Sequence, residues 1–155
     1  MAYYSRQYDA AIEQFRSVTE INPSLPLAHQ TLGMAYQQKG LFDQAIEEYK
    51  RAAAFSGNSP ASVASLASAY ATAGKLAESR AELARLEEMS RTRYVPALYF
   101  AMVHQANGDL TKTIEWGWKA VGERCDYLLY LRVEPTAGKL AGNPEFIRAM
   151  AALHR

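Results

Sequence analysis

The amino-acid sequence predicts an all-α fold in which antiparallel pairs of helices stack into a solenoid. Two observations lead to this prediction. Glycines recur at a fixed spacing of 34 residues, at Gly40, Gly74 and Gly108, and apolar side chains with helical spacing lie on both sides of each one. A constant period of this length, with a helix on either side of a turn glycine, is typical of stacked helical repeats.

Other positions keep the same spacing without an insertion. The aligned sets are Leu32, Leu66 and Phe100; Tyr36, Tyr70 and His104; Tyr8, Phe42, Leu76 and Leu110; Ala11, Ala45, Ser79 and Thr113; Phe15, Tyr49, Leu83 and Gly117; and Val18, Ala52, Leu86 and Ala120. This pattern resembles the tetratricopeptide repeat (TPR) over residues 1–121. The resemblance is closest in the second unit, where His29 occupies a position that is often Trp in the family.

The resemblance implies a right-handed superhelix (an α-solenoid) that forms a single domain, residues 1–155. Its expected segments are a partial first repeat (1–25), a second repeat (26–59), a third (60–93), a fourth (94–124) and C-terminal capping helices (125–155). The predicted helices of the repeats are 8–19, 26–39, 41–55, 60–73, 76–89, 95–107 and 110–121.

Local signals justify these bounds. Pro26 suits the first turn of its helix, and Ser59 and Asp109 are predicted N-caps. Gly33 is expected between paired helices, where a missing side chain lets two backbones approach closely. A family-type first helix would already be ending near Ala2, so the chain is interpreted as a fragment of a longer protein.

The period fails after Gly122. Pro135 and Gly138 exclude a regular fifth repeat, and a solenoid end needs a terminal element that covers the last repeat. Asp126 is expected to cap a short helix, 127–133, and Asn143 to open a last helix after a loop. This tail is similar to the end of TPR regions in bacterial signalling proteins, namely winged-helix regulators, receptor-type kinases and adenylate cyclases.

The composition excludes several classes of function. A net charge of +1 with mixed signs gives no electrostatic footprint for nucleic acid, and the single Cys125 excludes an internal disulfide. No apolar run approaches the ~20 residues that span a membrane. We therefore expect no nucleic-acid partner, no membrane span and a cytoplasmic location, although an extracytoplasmic region of a membrane-anchored protein stays open.

The sequence offers no constellation for catalysis. It has no G-x-S-x-G, P-loop, H-E-x-x-H or C-x-x-C string, so no enzyme activity, cofactor or metal is expected. His29 and His104 are interpreted as structural, His154 as an exposed tail residue, and the pairs 47–48 and 87–88 as solvated glutamates. Trp116 and Trp118 flank Gly117 and either pack over the gap or contact a partner.

The resemblance also implies a binding face, because in the family the first helix of each pair lines a concave groove. The groove positions of this chain are apolar or carry amides and hydroxyls: Leu27, Gln30, Met34, Gln37, Gln38, Ala61, Ala64, Ser68, Ala71, Thr72, Val95, Leu98, Met102, Gln105 and Ala106. None is Lys, Arg or Asn, the residues with which TPR domains clamp acidic chaperone C-termini. That class of partner is therefore not expected.

The leading functional interpretation is a non-catalytic scaffold that binds a peptide or partner protein in this groove, within a larger bacterial signalling protein. The alternative is a homo-oligomerisation or structural module that associates through its exposed terminal repeats. RNA binding by a related helical-repeat class would need a basic groove, which is absent.

Overall fold

The computed structural model describes residues 2–123, 142–144 and 147–148. Seven helices lie in the first of these ranges: α1 (Ala2–Ile21), α2 (Pro26–Gln38), α3 (Phe42–Phe55), α4 (Pro60–Thr72), α5 (Leu76–Thr92), α6 (Ala97–Ala106) and α7 (Leu110–Gly122). The described part contains no strand, so the predicted all-α solenoid is confirmed. No helix in this part is long and apolar enough to cross a lipid bilayer.

The helices associate as three pairs, α2 with α3, α4 with α5 and α6 with α7. The turn inside each pair contains one of the periodic glycines, with φ of +75° at Gly40 and +77° at both Gly74 and Gly108. Glycine adopts this left-handed conformation without a steric penalty. The pairs then stack because α1 packs on α2, α3 on α4, and α4 on α6.

Helix α1 differs from the prediction. It runs without a break from Ala2 to Ile21, whereas the repeat pattern predicts a helix end near Ala2 and a new helix at Tyr8. Arg6 stands 34 residues before Gly40, so the glycine that reverses the chain in the later units is missing here. A residue with a side chain resists a positive φ, and the helix therefore continues.

Helix α6 begins two residues later than predicted. Pro96 is its N-cap residue, with φ −54° and ψ 135°, and the helix starts at Ala97 instead of Val95. A proline disfavours the helical conformation of the residue before it, which keeps Val95 in the turn. At the other end of this turn, α5 continues to Thr92, three residues past its predicted end.

The buried apolar residues of the described helices form separate clusters along the stack. One cluster lies between α4, α5 and α6, and it contains Val63, Ala64, Ala67, Leu86, Val95, Phe100 and Val103. Trp116 of α7 extends this cluster, since its indole stacks on Phe100 with ring centroids 4.2 Å apart. The neighbouring Trp118 points outward and is 41% exposed. The Trp116 side chain therefore has a packing role.

Both predicted caps within the repeats are present. The Ser59 side chain accepts a hydrogen bond from the backbone N–H of Ser62 at 3.3 Å, and Asp109 Oδ1 accepts one from the N–H of Lys112 at 3.1 Å. These bonds satisfy amide groups that have no partner inside their helices. The predicted cap segment 125–155, including helix 127–133 and its Asp126 cap, lies almost wholly outside the described residues. Within it, the Ile147 N–H donates to Asn143 O at 3.0 Å, as expected at a helix start.

Within the first pair, Gly33 of α2 lies close to Tyr49 of α3. A Cβ atom added at Gly33 would lie 2.8 Å from Tyr49 Cε1, and the tyrosine ring is buried in the core. The glycine therefore lies on the face between the two helices, as expected, but it makes room for the Tyr49 ring rather than for a second backbone.

We predict that Gly33→Val lowers the free energy of unfolding by about 2 kcal/mol, because an overpacked core site costs typically 1–3 kcal/mol. Gly122→Val is the matched control, since nothing lies within 4 Å of a Cβ at Gly122. Urea unfolding followed by circular dichroism measures both variants. Equal stabilities would show that the Gly33–Tyr49 approach is not a constraint.

Candidate functional site

A cavity of about 470 Å³ lies between α2, α4 and α6, the first helices of the three pairs. Its lining comes from these helices and from one residue of α3: Gln30, Met34, Gln37, Gln38, Tyr49, Ala61, Ser65, Ser68, Ala71, Thr72, Tyr99, Met102, Gln105 and Ala106. The volume is within the range of pockets that bind small molecules or short segments. A defined cavity thus lies where the first helices of the three pairs meet.

Most of the groove residues predicted from the sequence lie in this lining. The structure brings together Gln30, Met34, Gln37, Gln38, Ala61, Ser68, Ala71, Thr72, Met102, Gln105 and Ala106. Leu27 and Leu98 lie on the same helices but do not line the cavity. Leu27 is instead an exposed apolar side chain near the turn that follows α1.

Two predicted groove residues are core residues. Ala64 is completely buried and Val95 is 7% exposed, and both belong to the cluster between α4, α5 and α6. For Ala64 the reason is the rotation of α4, which points this side chain at its neighbours. For Val95 the reason is Pro96, which delays α6 and lets Val95 fold inward from the turn.

Three lining residues were not predicted: Tyr49, Ser65 and Tyr99. On α4 the cavity stripe runs through Ala61, Ser65, Ser68 and Thr72, a spacing of four, three and four that defines one helix face. Tyr49 belongs to a second helix, and its hydroxyl reaches the cavity beside Gly33, where it donates to Gln37 Oε1 at 3.0 Å. The absence of a side chain at Gly33 was the available signal.

Within the described part of the chain, the lining contains no Asp, Glu, Lys, Arg or His. Its polar groups are amides and hydroxyls, and two of their atoms are buried without a hydrogen-bond partner: Ser68 Oγ and Gln30 Oε1. The other end of the Gln30 amide is engaged, since Nε2 donates to Ser65 Oγ. A buried polar atom without a partner costs about 1–3 kcal/mol, so an occupant with matching groups would bind favourably here.

Known protein families agree with this architecture. A profile described as TPR repeat matches residues 2–40, and one described as tetratricopeptide repeat matches residues 27–58. Residues 2–58 of the chain thus contain tetratricopeptide repeats. No protein of curated function matches the chain in sequence.

The buried histidine of the second TPR unit forms the main polar cluster outside the cavity. His29 is 3% exposed, its Nε2 lies 2.8 Å from Pro23 O, and its Nδ1 lies 2.6 Å from Glu48 Oε2. Because a carbonyl oxygen only accepts, Nε2 carries a proton. The ring also stacks on Phe55, so the interpretation of His29 as a structural residue agrees with its contacts.

The expectation that Glu48 is solvated is wrong. Its side chain is buried, and its second oxygen accepts a hydrogen bond from Arg51 Nη1 at 2.9 Å. Glu48 lies three residues after Ala45 and four before Ala52, within the buried stripe of α3, and this spacing was the signal for its burial. Glu47, one residue away, is exposed as expected. No grouping of side chains in the described part of the chain is suited to hold a metal ion.

We predict that Glu48→Ala lowers the free energy of unfolding by about 3–5 kcal/mol, since removal of one partner leaves the other buried and uncompensated. Glu47→Ala, which removes an exposed pair with Lys50, is the matched control and should change stability little. Urea unfolding at neutral pH measures both. Similar losses in the two variants would contradict the structural importance of the His29–Glu48 contact.

The environment of His104 predicts that the stability of the protein depends on pH. Burial lowers the pKa of this histidine below its usual value, the nearby Lys112 lowers it further, and Asp109 opposes the shift. The unfolded chain therefore binds more protons below about pH 6.5, so stability falls as the pH falls through this range. We expect the unfolding midpoint to drop less between about pH 7 and pH 5 in His104→Gln than in the unchanged protein. An equal drop in both would contradict this assignment.

Proposed function

We propose that this chain is a non-catalytic interaction scaffold that holds a peptide or protein segment in the cavity between α2, α4 and α6. TPR repeats generally mediate contacts between proteins, as the sequence resemblance implies. The observation that carries the proposal for this cavity is Ser68 Oγ, a buried hydroxyl oxygen without a partner on the cavity floor. A bound segment would supply the missing hydrogen bond.

The lining favours a polypeptide in two further ways. Met34 and Met102 present flexible apolar side chains from α2 and α6, and such side chains adapt to irregular surfaces. Gln37 and Gln38 add amide groups that can bind a peptide backbone without selecting charge. The apolar and polar groups of a peptide would both find partners.

Self-association is the second candidate function. Ile21 and Leu27 lie near the turn between α1 and α2, and they are 85% and 69% exposed. Exposed apolar side chains of this size, close together, favour contact with another protein surface. A second copy of the chain would bury them, and this mode of association leaves the cavity empty.

We further propose that the scaffold serves a larger bacterial signalling protein and acts in the cytoplasm. This proposal rests on the similarity of the C-terminal tail to the ends of TPR regions in such proteins. Other domains would then carry the catalysis or DNA binding.

The cavity proposal is tested by displaying random peptides on phage and selecting those that bind the immobilised chain. The double variant Ser68→Arg with Met34→Glu should reduce capture of the selected peptides at least tenfold, because it introduces bulk and charge into the cavity. Circular dichroism checks that helicity is retained.

The matched control is Gln44→Glu with Ala84→Arg, which makes similar changes at exposed positions of α3 and α5 outside the lining. Capture by this control should equal that of the unchanged chain. Full capture by the cavity variant would refute the cavity proposal. A concentration-dependent dimer in sedimentation velocity, together with full capture, would favour self-association.

A further inference from the structure

We infer that the cavity selects a segment that inserts an uncharged carboxamide side chain, Gln or Asn, onto the floor formed by α4. This inference rests on the proposed function and names the chemistry of the occupant. It follows from the charge of the lining, the two unpartnered atoms, and the side chains around them.

The uncharged lining disfavours a charged group in the cavity. Among the described residues, no Asp, Glu, Lys, Arg or His lines the cavity, and charged groups such as Lys39 with Asp9 and Lys75 with Asp43 pair with each other outside the lining. An ion that enters a site without an opposite charge loses its hydration, and no ion pair compensates for this loss. The inserted group is therefore neutral.

The hydrogen-bonding capacity of Gln30 Oε1 and the Ser68 hydroxyl favours a carboxamide. Gln30 Oε1 can only accept, whereas the Ser68 hydroxyl can both donate and accept. A carboxamide has two donors on its nitrogen and an acceptor oxygen, so it can donate to Gln30 and accept from Ser68. An aliphatic side chain would leave both buried atoms without a partner, at a cost of about 1–3 kcal/mol each.

Gln30 Oε1 and Ser68 Oγ lie in the same part of the cavity lining. Gln30 is bonded to Ser65, and Ser65 and Ser68 are three residues apart on α4, so their side chains are neighbours about 5–6 Å apart at Cβ. One inserted group can therefore meet both Ser68 and the amide of Gln30.

The depth of the two oxygens also limits which part of a docked segment can contact them. Ser68 is only 9% exposed, and the oxygens of Ser68 and Gln30 are buried, so an inserted group contacts them once these two side chains change rotamer. The backbone of a docked segment carries its own side chains and stays above this depth, while the end of a long side chain reaches it. Ala61 and Ala71 leave space along the floor, and Met34 and Met102 can contact the aliphatic stem of the inserted residue.

The test uses the full chain with ¹³C-labelled methionine methyl groups and three uncharged-host peptides, acetyl-Gly-Ala-X-Ala-Gly-amide, in which X is Gln, Glu or Met. The Met34 and Met102 methyl signals report on the cavity. Met89, which packs against the core cluster from α5, is the internal control. The Gln peptide should shift the two cavity signals at millimolar concentration and bind about tenfold more tightly than the Glu and Met peptides.

Ser68→Ala should weaken binding of the Gln peptide about three- to tenfold and leave the Met peptide unchanged, as expected for one lost hydrogen bond. Ser90→Ala, at an exposed serine of α5, is the matched control and should change neither. Equal binding of all three peptides would overturn the inference but leave the cavity as a binding site. Absence of shifts at Met34 and Met102 with every peptide would also overturn it, and the phage-display experiment would still decide the proposed function independently.

Discussion

The packing of α4 among α3, α5 and α6 is the contact on which the rest of the structure depends. Nine of the 13 residues of this helix are buried, and eight of these nine are Ala, Ser or Val. Small side chains let the neighbouring helices approach closely, and the apolar area removed from water stabilises the stack. The same helix contributes Ala61, Ser65, Ser68, Ala71 and Thr72 to the cavity lining. One element therefore joins the repeats and shapes the candidate site.

The distribution of charge separates the cavity from the rest of the surface. Exposed ion pairs such as Lys75–Asp43 and Lys119–Glu115 lie on or between the second helices, and such pairs contribute little to stability. The buried pair of His29 and Glu48 lies behind the cavity lining and fixes the start of α2 to the middle of α3. The described residues that line the cavity carry only amides, hydroxyls and apolar groups. A site of this kind discriminates by shape and hydrogen bonding.

Much of the site could be predicted because helical phase is set by local spacing. Gln30, Met34 and Gln37 follow from the position of Leu32 and Tyr36 on the opposite side of α2. The predicted groove positions were wrong where helical phase alone does not decide which side chain faces the cavity. Ala64 and Ser65 are adjacent, and only the rotation of α4 in its packed setting decides which one faces the cavity. Tyr49 lies on another helix, so no pattern within a single helix identifies its hydroxyl as part of the lining.

The sequence by itself determined the helices from α2 onward to within a few residues, their glycine turns and the caps at Ser59 and Asp109, because each depends on groups a few residues apart. It also determined the 34-residue repeat and hence the order of stacking. Only the tertiary structure decided that Glu48 is buried against His29, that Val95 enters the core, and that Ser68 lacks a partner on the cavity floor. These features depend on groups from different helices, and their distances are fixed when the helices pack.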